Sequence, residues 1–92
     1  MTIKEFTEST IEQYLEKGGT IHPDITLDIF KFVEANESLL ADYNALKKHY
    51  PGINQTMGRT IRAHFDLRNH KHIDVAGQCN LIKVYMRFHV KK

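Results

Sequence analysis

Between residues 82 and 91 the chain alternates without a break, Ile82, Val84, Met86, Phe88 and Val90 against Lys83, Tyr85, Arg87, His89 and Lys91. Successive side chains of a strand point to opposite faces, so period two predicts a strand with one buried and one wet face. The wet face is basic and carries an aromatic. Such a strand needs partners. The run 71–75 offers Ile73 and Val75 to pair inward, and 76–80, containing Gly77, is a five-residue loop of the kind that closes an antiparallel hairpin. A strand over 81–90 outruns that short partner, so a third strand is expected from the N-terminal half, with Thr20-Ile21-His22 before Pro23 as an extended candidate.

Immediately upstream, Ile53, Met57, Ile61 and Phe65 recur at i, i+4, i+8 and i+12, an apolar stripe that predicts a helix over 53–67. Asn54 has the chemistry of its N-cap. At 100° per residue, Gln55, Thr56, Arg59, Arg62 and Ala63 point away from the stripe, and no acidic residue interrupts that face. For any one Arg the plain reading is solvated helix surface. Gly58 costs about 1 kcal/mol relative to Ala inside a helix, which points to a close approach of another element, core packing before ligand.

Three more helices fit the first half. Over 3–17, Ile11, Tyr14 and Leu15 face inward and Glu5, Glu8, Glu12 and Glu16 outward, ending at Gly18-Gly19. Both Thr2 with Glu5 and Ser9 with Glu12 have capping-box spacing, which leaves its start open. Over 23–35, Ile25, Ile29, Phe32 and Val33 keep helical spacing; the alternation Ile25, Leu27, Ile29 permits a strand, but period two breaks after Ile29. Asn36-Glu37-Ser38 is a break and cap, after which Leu39, Tyr43, Leu46 and Tyr50 line one side of a helix that stops at Pro51-Gly52.

The run Gln55-Thr56-Met57-Gly58-Arg59-Thr60-Ile61-Arg62-Ala63-His64-Phe65, followed by a basic hairpin ending in Tyr85-Met86-Arg87-Phe88, resembles the third helix and wing of winged-helix domains. The regulatory factor X type and the C-terminal domains of phage and plasmid primases are the nearest. The regulatory factor X wing carries a run of arginines where this chain has Arg68, Lys71 and histidines. The resemblance implies an α+β fold, a winged helix-turn-helix with three to four helices and a C-terminal β-hairpin packed as a small antiparallel sheet. The 92 residues would then form one domain: an N-terminal helix over 1–19, a helix-turn-helix core over 20–67 and a wing over 68–92. It also implies that helix 53–67 enters the major groove of duplex DNA and the wing meets backbone or minor groove. A phage, plasmid or other mobile-element origin would follow.

Charge agrees with a polyanion partner. The net +2 divides unevenly: residues 1–52 hold five Lys against nine Asp/Glu, a net of −4, and residues 53–92 hold eight Lys/Arg against two Asp, a net of +6. Lys and Arg beside phosphates release condensed counterions, and the same asymmetry also suits a head-to-tail oligomer or an acidic-basic protein interface. The residues expected to meet nucleic acid, DNA before RNA, are Gln55, Thr56, Arg59, Arg62, Arg68, Lys71, Lys83, Tyr85 and Arg87, with Tyr85 able to stack on a base. A protein-interaction module or homo-oligomer with the same fold is the alternative.

Catalysis has no motif here: there is no paired-carboxylate signature, phosphate-cradling glycine loop or nucleophile elbow, and no cofactor is implied. His70 and His72 stand one strand period apart and could meet Cys79 and His89 around a metal, or else supply weakly basic surface. No apolar run approaches the length of a membrane span or a signal sequence, and the single cysteine makes a cytoplasmic location the simplest reading.

Overall fold

A computed structural model describes residues 1–22, 25–65, 73–74, 79–82 and 87–88, with 73–74 and 87–88 described by their backbone alone. The architecture is helical. Four α-helices, α1 (Ile3–Glu16), α2 (Ile25–Ala35), α3 (Glu37–His49) and α4 (Ile53–Phe65), make up almost all of the described regular structure.

Each helix end has a local cause. Of the two candidate capping boxes, Thr2 with Glu5 forms: the Glu5 amide donates to Thr2 Oγ1 at 3.0 Å and the Thr2 amide to Glu5 Oε1 at 2.9 Å. Hydrogen bonding from the Thr2 amide, and after it from the Thr2 hydroxyl, holds the Glu5 carboxyl below its usual range. At the other end of α1 the amides of Gly18 and Gly19 donate to the carbonyls of Leu15 and Tyr14, with Gly18 at φ +91°, a conformation that a Cβ disfavours. Asn36 caps α3, accepting from the Leu39 amide at 3.0 Å.

The helix α2 supplies the centre. Ile25, Thr26, Leu27, Ile29, Phe30 and Val33 are all buried, so α2 is apolar around most of its circumference and packs against α1, α3 and α4. One cluster joins Ile11 and Tyr14 of α1, Ile25 and Ile29 of α2 and Ile61 of α4. The other joins Phe6, Leu27, Phe30, Val33, Leu39, Tyr43, Ile53 and Met57 to Cys79 and Ile82 from the C-terminal segment. Among the described elements, helices α1 and α4 make the most extensive contact. Thr7 and Thr10 on α1 and Gly58 on α4 are small and buried. The two threonine hydroxyls donate back to the carbonyls of Ile3 and Phe6, so neither is an unmet polar group.

Several sequence expectations are overturned. The α+β winged helix-turn-helix with a packed C-terminal hairpin is not what the described residues form: they are all-helical apart from one bridge, Ile73–Asp74 antiparallel to Arg87–Phe88. That pairing is two residues a side, and the rest of the expected strands and loop, 71–72, 75–78, 83–86 and 89–90, lies outside the described residues. Leu81 and Ile82, expected to open the long strand, stand in and just after a turn closed by the Ile82 amide on the Cys79 carbonyl at 3.0 Å. No third strand occurs among the described residues either. Residues 20–22 are irregular; Tyr14 Oη donates to the Thr20 carbonyl at 3.1 Å, and His22 Nε2 meets Asp28 Oδ2 at 2.7 Å, which ties this loop to α1 and α2. The physical reason lies in the core. Among the described residues nearly every large buried side chain belongs to a helix, so the helical faces cover one another.

Smaller corrections follow. Leu15 is 37% exposed rather than inward, and Phe6, Thr7 and Thr10 take the buried face of α1. Asn54 is not an N-cap. It lies inside α4 and bridges two distant groups, accepting from Tyr43 Oη at 2.6 Å and donating through Nδ2 to the Leu81 carbonyl at 2.9 Å. The first turn of α4 is closed instead on the Gly52 carbonyl, which receives the Thr56 amide at 3.3 Å.

Candidate nucleic-acid interface

The burial of Ile53, Met57, Gly58 and Ile61 fixes the rotation of α4, and the opposite face follows from it. Gln55, Arg59 and Ala63 are exposed; Thr56, Thr60 and Arg62 are half-exposed. Of the nine residues expected to meet nucleic acid, the structure brings Gln55, Thr56, Arg59 and Arg62 onto one helical face. Arg68, Lys71, Lys83 and Tyr85 lie outside the described residues, and Arg87 is described only by its backbone, paired to Asp74.

Donors on this face come from Gln55, Arg59 and Arg62. The Thr56 hydroxyl donates to the Gly52 carbonyl at 3.4 Å, and Thr60 Oγ1 to the Thr56 carbonyl at 2.8 Å. Their protons are thus turned toward the helix, leaving oxygen lone pairs outward. Among the described residues the one side-chain ion pair is His22 with Asp28, so neither guanidinium on α4 is neutralised by a described carboxylate. An unpaired, exposed guanidinium keeps its five donors for a planar anion.

Helix α1 adds what a helical wheel of α4 alone does not contain. Alongside Arg59, Thr60, Ala63 and His64, an open groove of about 390 Å3 is lined by Lys4 and Glu8. Lys4 extends the basic surface. Glu8 places one carboxylate at its edge, so the acidic-free character of the α4 face ends at the seam with α1. Neither residue is recognisable as a site residue in the sequence, because the seam exists only once α1 and α4 pack.

For the metal reading, His70, His72 and His89 lie outside the described residues, and no group of three or more metal-ligating side chains occurs among the described ones. Cys79 is described, and it faces the core. Its thiol is buried beside Phe30, Tyr43 and Ile82 in one apolar cluster and is hydrogen-bonded to Glu34. Burial, then that carboxylate, push the thiol up from its usual range, while the same bond, with those from Asn80, holds the Glu34 carboxyl down. A protonated, enclosed thiol is a poor nucleophile. Alkylation by iodoacetamide at pH 8 should therefore proceed at least about tenfold slower in the native protein than in urea. Equal rates in the two conditions would show that the 79–82 turn is not docked.

No family model, curated protein or solved structure matches the chain. The functional reading therefore stands on this chain's own geometry. Among the described residues, no helix is long and apolar enough to cross a membrane.

Proposed function

We propose that this protein binds nucleic acid, duplex DNA in the first instance, through the outer face of α4. The reading is carried by one observation: Arg59 and Arg62 lie on a solvent-facing side of a single helix with no described carboxylate in ion-pairing range. A helix is about the width that the major groove of B-form DNA admits. Gln55 and Arg59, four residues apart, stand one above the other on that helix, with Gln suited to adenine edges and Arg to guanine edges or phosphate. The proposal needs no wing. The remaining basic residues of the C-terminal segment, Arg68, Lys71, Lys83 and Arg87, would add phosphate contacts. Binding is non-catalytic, and the place for it is the cytoplasm, where a lone thiol such as Cys79 stays reduced.

Fluorescence anisotropy of a labelled duplex tests this. Binding should weaken steeply with salt, and Arg59→Ala/Arg62→Ala should weaken it at least about tenfold while lowering the log-log salt slope by roughly 2. Both side chains are outside the core, so the helical circular-dichroism signal should not change. The same titration with single-stranded DNA and with RNA identifies which polymer is preferred. An unaltered isotherm for the double variant would remove α4 as the contact surface, and no binding of any polymer at low salt would turn attention to a protein partner of the same basic face.

A further inference from the structure

We infer that the groove between α1 and α4 is a seat for a phosphodiester group, in which Lys4 and Arg59 supply charge and Glu8 limits it. The inference rests on the nucleic-acid reading above and extends it to residues of the first helix.

The groove owes its shape to side-chain length. On the α4 side it is lined by the short Thr60 and Ala63 and the long Arg59 and His64, and on the α1 side by Lys4 and Glu8. At about 390 Å3 it has room for more than one phosphate oxygen shell, and its openness suits a group presented by a polymer rather than an enclosed small molecule. Thr60 contributes no donor, because its proton goes to Thr56. Recognition therefore falls to the ammonium of Lys4, the guanidinium of Arg59 and the ring N–H of His64.

Charge decides the occupant. Two permanent cations and one carboxylate line the groove, and neither Lys4 nor Arg59 is within ion-pairing distance of Glu8 among the described residues. Lys4 precedes Glu8 by four positions, the less favourable order for such a pair on a helix. The site thus keeps a positive excess that a monoanionic phosphodiester complements, while Glu8 repels an anion already seated. Lys4 also fixes a direction. A duplex touched by Arg59 and Arg62 on α4 would cross the seam toward the start of α1, so one backbone strand would run over both helices.

The test is a set of single variants in the same anisotropy titration. Glu8→Gln should tighten binding by about fivefold, since one unscreened like charge at contact distance is worth on the order of 1 kcal/mol in water. Lys4→Ala should weaken binding and lower the salt slope by about 1. Lys47→Ala on α3 removes an equal charge from a helix whose main partner is α2, and it should lower the slope by less than half as much. Thermal melts on all three keep a folding defect from passing as a binding effect. If Lys4→Ala and Glu8→Gln bind like wild type while Arg59→Ala/Arg62→Ala does not, the groove is not a phosphate seat and the α4 face stands alone. A Lys4→Ala effect no larger than that of Lys47→Ala likewise overturns the seat, and absence of binding by the wild type removes both.

Discussion

Replacing Asn54 by Ala is expected to destabilise the protein by about 2–4 kcal/mol, far more than the loss of a half-exposed amide would ordinarily cost. Asn54 serves two masters with one side chain. Its Oδ1 accepts from the hydroxyl of Tyr43, a side chain with no exposed surface, and its Nδ2 donates to the Leu81 carbonyl, 27 residues further on. Burial raises the Tyr43 hydroxyl above its usual range, so with Asn54 gone that proton has neither an acceptor nor the option of leaving. The same substitution frees one anchor of the 79–82 turn. The other anchor is Glu34, which takes the Asn80 amide at 3.3 Å and Asn80 Nδ2 at 2.6 Å. Asn54→Asp keeps the acceptor for Tyr43 but turns a carboxylate oxygen toward the Leu81 carbonyl in place of a donor, so it too should be less stable than wild type. Tyr43→Phe removes a single bond and should cost about 1 kcal/mol, and in combination with Asn54→Ala the losses should sum to less than their total. Urea denaturation measures all of them. A midpoint for Asn54→Ala indistinguishable from wild type would mean that the bridge carries no stability.

Asn54 also shows where the sequence stops being readable. An Asn at the start of an apolar-periodic stretch has the chemistry of an N-cap, and the partners that give it another role are 11 and 27 residues away. Local pattern served the helices well. Stripes such as Ile53, Met57 and Ile61 depend only on the pitch of the element that carries them, and all three are buried as that pitch requires. Helix α1 is less legible, because Thr7 and Thr10 count as polar in a pattern, yet bond to their own backbone and are buried. At Leu81 and Ile82, where the C-terminal alternation begins, the pattern misled for a different reason. Period two records which residues avoid water, not what covers them. Ile82 does avoid water, but it is covered by helices from within a turn rather than by a facing strand. The candidate site divides along the same line: Arg59 and Arg62 follow from the rotation of one helix, whereas Lys4 and Glu8 depend on how two helices meet.

Truncating Ile61 tests that meeting directly. Ile61→Ala should cost about 3 kcal/mol and Ile61→Val about 1 kcal/mol, read from urea midpoints at unchanged m-value. Ile61 has no exposed surface, and its walls come from three helices: Ile11 and Tyr14 on α1, Ile25 and Ile29 on α2, and its own neighbours on α4. Tyr14 cannot swing in to fill the space, since its ring packs edge-on against Phe32 at 5.9 Å and its hydroxyl is held by the Thr20 carbonyl. Gly19 closes it from the other side, for a Cβ there would already lie 2.5 Å from the Tyr14 ring. With Tyr14 held in place, the deleted methyl groups leave a cavity, and the cost includes lost contacts as well as lost transfer energy. Equal losses for Val and Ala would indicate a site that relaxes freely, contrary to this packing. Binding supplies the second half of the prediction. Because Arg59 projects from the side of α4 opposite Ile61, and Arg62 stands about 100° round from it outside the core, Ile61→Ala should bind a duplex as wild type does well below its lowered melting temperature, and lose binding only as α4 comes away from α1. Weakened binding in the fully folded variant would instead place the interface within reach of the core, and the outer face of α4 would no longer be where the polyanion sits.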